Sequence, residues 1–275
     1  MGKIALITGT NSGIGKETAI QMAKMGYSLI LLMRDSENSN MAYEEIKQHA
    51  NSNSIDFIPT DLSSFKSITN ALNIIKSKYK TIDVIVNNAG VLKNSRQVNE
   101  DGIELTMMVN YFAPFYLTNS LIEFSGSDNI IRIVNVSSGL HKNGKYKIDE
   151  YNSDVNFSAY NTYGDTKLYL LMYSFYLARH YNNFEVFCNH PGVIATNIFR
   201  HTPRLVQGAF NLFLTSIEKG AKSNIMLATS EKLNGKSGLY FDKLEVGNHS
   251  KIADDLKLQD ELYEKTKIII EKYIK

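Results

Sequence analysis

The sequence predicts an α/β fold, a doubly wound seven-stranded parallel sheet with helices on both faces. Three observations predict it. Short apolar runs rich in β-formers alternate with longer helical patterns through most of the 275 residues, the order that right-handed βαβ units require. One run, Ile82-Asp83-Val84-Ile85-Val86, is apolar nearly throughout, as a central strand buried on both faces must be. The glycines cluster at strand ends, where the chain turns.

In order, the strands are predicted at 3–8, 28–33, 55–59, 82–86, 130–136, 184–189 and 238–241, and the helices near 13–25, 39–50, 64–79, 101–124, 160–181, 216–229 and 254–273. No repeat or Pro/Gly/Ser linker divides the chain, which has only four prolines, so residues 1–275 read as one domain. Segments 139–159 and 197–215 lack a strong pattern. Both follow strand carboxyl ends, the side on which open α/β sheets bind ligands, and both are assigned to substrate loops. The second is amphipathic enough for a short lid helix, with a plain surface excursion as the alternative.

Hydrophobic residues at 43% and charged residues at 21% are ordinary globular values. A formal net charge of +2 is too small to suggest nucleic acid as a partner, whereas a phosphate-bearing small ligand needs only one or two well-placed cations. The single Cys188 excludes an internal disulfide, and no His/Cys cluster surrounds it, so no metal is expected. The first strand begins at residue 3, leaving no room for a signal peptide, and no apolar run approaches the ~20 residues of a membrane span. A cytoplasmic protein is expected.

Gly9-Thr10-Asn11-Ser12-Gly13-Ile14-Gly15 joins the first strand to the first helix. A Cβ at Gly9 or Gly13 would obstruct a tight turn or the approach of a pyrophosphate, and Gly15 lets the helix pack closely; the helix start supplies free N–H groups and partial positive charge. At the end of the second strand, an acid would bind the adenosine ribose and repel a 2′-phosphate. Here apolar Met33 stands at that place and Arg34 follows it, 19 residues beyond Gly15. A guanidinium grips a phosphate bidentately, so NADP is favoured over NAD. The alternative leaves Arg34 on the surface and gives the ribose to Asp35.

Tyr163-Gly164-Asp165-Thr166-Lys167 is a Y-x-x-x-K motif early in a predicted helix, and its i, i+4 spacing puts Tyr163 and Lys167 on one face. Tyr160 cannot substitute, since Gly164 lies four residues on. With a free-phenol pKa of about 10, Tyr163 needs Lys167 and the positive ring of an oxidised cofactor to lower it.

The TGxxxGxG turn and this motif together resemble the short-chain dehydrogenase/reductase family over nearly the whole chain, and TGTNSGIGKET, MRD, RIVNVSS and HPGVIATNI look most like its retinol dehydrogenase and WW-domain oxidoreductase branch. The resemblance implies a Rossmann fold and an NADP-dependent oxidoreductase. Tyr163 would protonate a carbonyl as hydride arrives, Ser138 at a strand end would orient that carbonyl, and Ser137 would serve packing or cofactor contact. Asn110 would hold a water linking Lys167 to solvent in a proton relay. Asp61 and Leu62 would flank the adenine, with Asp61 as N-cap of the next helix a compatible reading. In Asn87-Asn88-Ala89-Gly90, largely structural, Asn88 and Gly90 would touch cofactor. Pro191, Gly192 and Val193 would form a turn that brings Thr196 to the nicotinamide carboxamide, while His190 stays structural.

The 25 residues from Ser138 to Tyr163 imply an insertion near the substrate mouth, and Leu140, Tyr146, Phe199, Phe210 and Phe213 suggest an apolar aldehyde or ketone as substrate. The membrane-anchoring N-terminus of many retinol dehydrogenases is absent, which speaks against membrane-borne substrates. A catalytically silent NADP-binding regulator and a carrier-bound oxoacyl reductase are the alternatives. The family often forms homodimers or homotetramers through the helices bearing Asn110 and Tyr163, a face that an insertion can cover.

Overall fold

The computed structural model describes residues 2–51, 54–125, 129–155, 157–192 and 216–274. Its elements run β1 (Ile4–Thr8), α1 (Gly13–Lys24), β2 (Ser28–Met33), α2 (Glu37–Gln48), β3 (Ile55–Pro59), α3 (Phe65–Lys78), β4 (Val84–Asn87), α4 (Leu105–Met107), α5 (Ala113–Ser125), β5 (Ile131–Val136), α6 (Ala159–His180), β6 (Phe184–His190), α7 (Ile217–Thr229), β7 (Leu239–Asp242), β8 (Glu245–Val246) and α8 (Leu256–Glu271). The sheet order is β3-β2-β1-β4-β5-β6-β7-β8. Strands β1 to β7 are parallel, as predicted. The eighth is a correction: β8 folds back antiparallel on β7, pairing Phe241 with Val246 and Asp242 with Glu245.

Period-two alternation sends successive β1 residues to opposite faces. Leu6 joins Ile30, Leu32, Ile85 and Ile133 under α3, α5, α6 and α8, while Ala5 and Ile7 join Leu29, Leu31, Val84, Val86 and Val134 under α1, α2 and α7. Both faces are thus buried, which is why the strands read as continuous apolar runs. The chain reverses its winding between β1 and β4, and the crevice at that switch point lies above their carboxyl ends.

The helix predicted over 101–124 is broken. Short α4 passes into a π-turn, Met108–Phe112, before α5 resumes, and Asn110 stands within that turn. Extra residues of this kind re-aim a side chain and are common at functional positions. Segment 139–159 contains two 3₁₀ turns, Gly139–Asn143 and Ile148–Glu150, and packs on α6. Segment 197–215, with the lid helix expected there, lies outside the described residues. Helix α8 covers the outer side of α5 and α6: Tyr263 stacks on Tyr176 at 4.0 Å, and Thr266 shares a 2.8 Å hydrogen bond with the Tyr111 hydroxyl.

Candidate active site

The turn after β1 is left-handed at Gly9 (φ +70°) and Gly13 (φ +59°), a conformation that costs any Cβ-bearing residue. Space is as restrictive as torsion. A Cβ on Gly9 would stand 2.9 Å from the Ala89 Cα, and one on Gly15 would stand 2.3 Å from both the Asn88 Nδ2 and the Gly9 carbonyl oxygen. Thr8 supplies a clamp that the sequence reading missed: its hydroxyl accepts from the backbone N–H groups of Asn88 and Ala89, each at 3.0 Å. The Asn88 amide donates to the Thr8 and Gly9 carbonyls at 3.0 and 3.3 Å. Asn88 therefore ties β4 to the glycine turn, as expected of its element, and its Nδ2 is engaged with protein.

Ser12 occupies the N-cap of α1 in an extended conformation with no side-chain capping bond, so the first-turn N–H groups face the glycine turn uncapped. The neighbouring Asn11 carbonyl accepts from Asn38 at 3.0 Å, and Ile14 anchors the turn against Ala221 of α7. A glycine cradle that a Cβ would fill, beneath an uncapped helix start, fits a pyrophosphate. Arg34 is exposed at the end of β2, with no hydrogen bond or ion pair among the described residues; Asp35 is exposed beside it. Asp61 accepts from the Ser63 N–H at 2.9 Å and hydroxyl at 2.7 Å, and the N-cap of α3 is Ser64 instead, which corrects the capping expectation. Leu62 is buried and lines a small recess with Thr8, Ala89 and Val109.

Ser138, Tyr163, Lys167 and Asn110 converge at the carboxyl ends of β4 and β5. Tyr163 lies one turn into α6, where the Ser138 side chain acts on its phenol. The Lys167 Nζ lies 5.6 Å from the Tyr163 ring centre and donates to the Val136 carbonyl at 2.8 Å. Gly90 sits between Lys167 and Asn110: a Cβ there would be 3.4 Å from Nζ and 3.5 Å from the Asn110 Oδ1. The Asn110 side chain is fully engaged, accepting from the Val91 N–H at 2.8 Å and donating to the Val91 carbonyl at 2.9 Å and to Thr166 at 3.3 Å. It thereby fixes the loop that carries Gly90. Ser137 donates to the Lys167 carbonyl at 2.9 Å, which makes it a packing tie between β5 and α6.

The expected lowering of the phenol belongs to Lys167 together with an oxidised cofactor, and the protein by itself acts in the other direction. Burial pushes Tyr163 up to about 12, and Ser138 draws it only partly back. Burial also brings Lys167 down to about 8. Desolvation penalises the charged form of both groups and is the largest cause of each shift. The protein alone keeps the phenol protonated, the state required of a proton donor.

The insertion is clamped to α6 through Asp165, within the Tyr-to-Lys motif itself. Its buried carboxylate accepts from the Lys145 N–H at 2.7 Å and pairs with the Lys147 ammonium at 3.2 Å. Gly144 packs so tightly there that a Cβ would stand 2.6 Å from the Gly164 carbonyl oxygen. Leu140 is half-buried in the turn after Ser138. Tyr146 instead packs edge-on against Tyr169, which makes it a packing residue of the insertion. Tyr160, set aside in the sequence, is exposed. Pro191 and Gly192 (φ +99°) are buried just beyond β6, and His190 is largely buried. Val193, Thr196, Phe199, Phe210 and Phe213 lie outside the described residues. Besides Thr8, two further residues carried no sequence signal: Asp165, and His141, whose ring meets the Ser138 carbonyl.

Residues 3–204 match the profile of the family described as short chain dehydrogenase. Human "Retinol dehydrogenase 13" is 32% identical over 277 residues, covering 95% of this chain and 82% of its own length. Human "Retinol dehydrogenase 14" is 34% identical over 262 residues, 87% of this chain and 78% of its own. Among solved structures, L-sorbose reductase from Gluconobacter frateurii complexed with NADPH and L-sorbose superposes with a TM-score of 0.71 at 20% identity, covering 90% of this chain and 98% of that one.

Proposed function

The chain belongs to the short-chain dehydrogenase family of oxidoreductases, and we propose that it is an NADPH-dependent reductase of apolar aldehydes or ketones. The observation that carries the reading is the convergence of a protonated, buried Tyr163 on Ser138, with Lys167 held at the same strand end. In this reading NADPH, when bound, supplies hydride to the carbonyl carbon.

The chain's own residues do the rest. The cradle from Gly9 to Gly15 and the start of α1 hold the pyrophosphate, with Asn11, Ser12, Gly13 and Ile14 shaping it. Arg34, exposed and without a partner among the described residues, holds the 2′-phosphate that distinguishes NADP from NAD. NADP bound in a structural neighbour, a C-6 ketoreductase, supports that choice. Asp61 and Leu62 would flank the adenine, Asn88 and Gly90 would touch the cofactor, and Pro191 and Gly192 would begin the turn on the nicotinamide side, to which the family resemblance also assigns Val193 and Thr196. The Ser138 hydroxyl donates to the substrate oxygen and stabilises its developing charge. Tyr163 gives its proton to that oxygen. Lys167 stabilises the phenolate left behind, and Asn110 holds the Gly90 loop against Lys167.

The test is Tyr163→Phe, screened with NADPH against aliphatic and aromatic aldehydes and ketones. Reduction is expected to fall about 10²- to 10⁴-fold, the usual contribution of a positioned acid, with NADPH affinity retained. Turnover at the wild-type rate by Tyr163→Phe would refute the assignment.

A further inference from the structure

The backbone of Ser138 is held by a histidine three residues on. The Ser138 carbonyl accepts from the His141 backbone N–H at 3.1 Å and lies 2.6 Å from the His141 Nδ1. A carbonyl has no proton to give, so Nδ1 carries the hydrogen. Across the ring, Nε2 lies 3.3 Å from the Ser250 backbone nitrogen, whose N–H can only donate, so Nε2 carries none. The two contacts assign the neutral Nδ1–H tautomer. The ring is 0% exposed and lies 4.8 Å from the Tyr240 ring of β7. Ser250 opens the 3₁₀ turn Lys251–Asp254, which leads directly into α8. One imidazole thus bridges the Ser138 loop and the C-terminal segment.

We propose that His141 is a positioning residue for Ser138: its neutral ring fixes the serine backbone against the C-terminal turn, and so sets the hydroxyl that meets Tyr163. The inference rests on the reading of Ser138 as the residue that orients the substrate carbonyl. That hydroxyl already accepts from the Leu140 N–H at 3.3 Å and meets Tyr163, so a small shift of its backbone misdirects it. The surroundings favour the neutral ring. Burial holds the imidazole down at about 4 against the raising effect of the Ser138 carbonyl, and Lys142 of its own turn, His249 before the C-terminal turn and His190 of β6 all oppose added positive charge. Of these, His249 is paired with Asp254 at 2.8 Å and His190 faces Asp242 and Lys243.

Three variants separate positioning from packing. His141→Asn keeps an amide N–H near the place of Nδ1 and loses the acceptor for Ser250. His141→Gln reaches the place of Nε2 and loses the donor to Ser138. His141→Phe keeps the ring shape and loses both. The expected result is a fall in kcat of about 10- to 100-fold in the Gln and Phe variants, the cost of misplacement by about 1 Å, with NADPH affinity within about threefold of wild type. His141→Asn, which keeps the donor to Ser138, is expected to recover part of kcat even though it packs less well and melts lower than His141→Phe. If kcat follows Tm across the three, or His141→Phe turns over like wild type, the proposal is overturned. Histidine ¹⁵N shifts at pH 7 test it without substrate: an Nδ1–H tautomer supports it, and an Nε2–H tautomer or an imidazolium overturns it. Ser138→Ala separates the two readings, since full activity there refutes the role of Ser138, whereas an inert Ser138→Ala beside a fully active His141→Phe refutes His141 alone.

Discussion

Lys167 donates to the carbonyl of Val136 at 2.8 Å, two residues before Ser138 on the same strand end. The lysine is therefore registered to β5 as well as to its own helix, and the strand carries both the serine and the anchor for the charge behind the tyrosine.

That anchor does not offset the burial of the ammonium, and Lys167→Met tests the conflict between stability and activity. With a folded pKa of about 8 against 10.5 unfolded, the buried charge costs about 3 kcal/mol at neutral pH. Below pH 8 both states hold the proton and the penalty is complete. Between 8 and 10.5 the folded state releases it first, so stability rises with pH through that window. Lys167→Met is expected to remove the rise, to hold or raise Tm at pH 7, and to lower kcat. Denaturant melts at pH 7 and pH 10 check the sign, and a variant that melts lower at pH 7 would contradict it.

Arg34→Asp is expected to lower the NADPH-to-NADH ratio of kcat/KM about 10- to 100-fold, which corresponds to losing a charged hydrogen bond worth about 1.5–3 kcal/mol. Because Arg34 is exposed, stability should change by less than about 0.5 kcal/mol. Paired kinetics with both cofactors measure the first effect and thermal melts the second.

Asp165→Ala is expected to loosen the insertion. Loss of the acceptor for the Lys145 N–H and of the partner for Lys147 should cost about 1–3 kcal/mol. Trypsin should then cut after Lys142, Lys145 or Lys147 faster than in wild type, with NADPH affinity retained. Equal cutting rates would show that Gly144 packing on Gly164 holds the segment without the carboxylate.

The protein is expected to sediment as a single chain. Pairing through α5 and α6 requires an open face, and α8 fills it with Tyr263 on Tyr176 and Thr266 on Tyr111, while Tyr151 of the insertion packs on Phe112. Sedimentation velocity at micromolar concentration checks this, and a dimer would place the contact on another face.

The main sheet was legible because seven of its strands are short, mostly apolar runs alternating with helical patterns, and the site because glycine turn, serine, tyrosine and lysine fall in a fixed order along the chain. The eighth strand was not, since Glu245–Val246 is a two-residue exposed hairpin with no apolar period to reveal it. Asn110 within a helix hinted at a role, yet nothing local announced the π-turn that carries it. Spacing placed Lys167 beside Tyr163 correctly, but burial set the direction of the phenol shift, and burial belongs to the assembled fold. His141 stood as one histidine in an unpatterned segment, and its partner Ser250 is 109 residues away.

The short return of β8 also bears on how the protein behaves when concentrated. A parallel sheet left open at β7 would offer a row of free backbone groups to a second molecule, and two antiparallel residues behind a left-handed turn at Lys243 cover the Phe241–Asp242 half of it, with Asp242, Lys243 and Glu245 adding charge. At the opposite margin, β3 ends in Pro59, which has no N–H to give, and carries Asp56 in an ion pair with Lys78. Neither margin invites strand addition, so self-association into cross-β aggregates must begin from unfolded chains, and additives that suppress unfolding should suppress it in proportion.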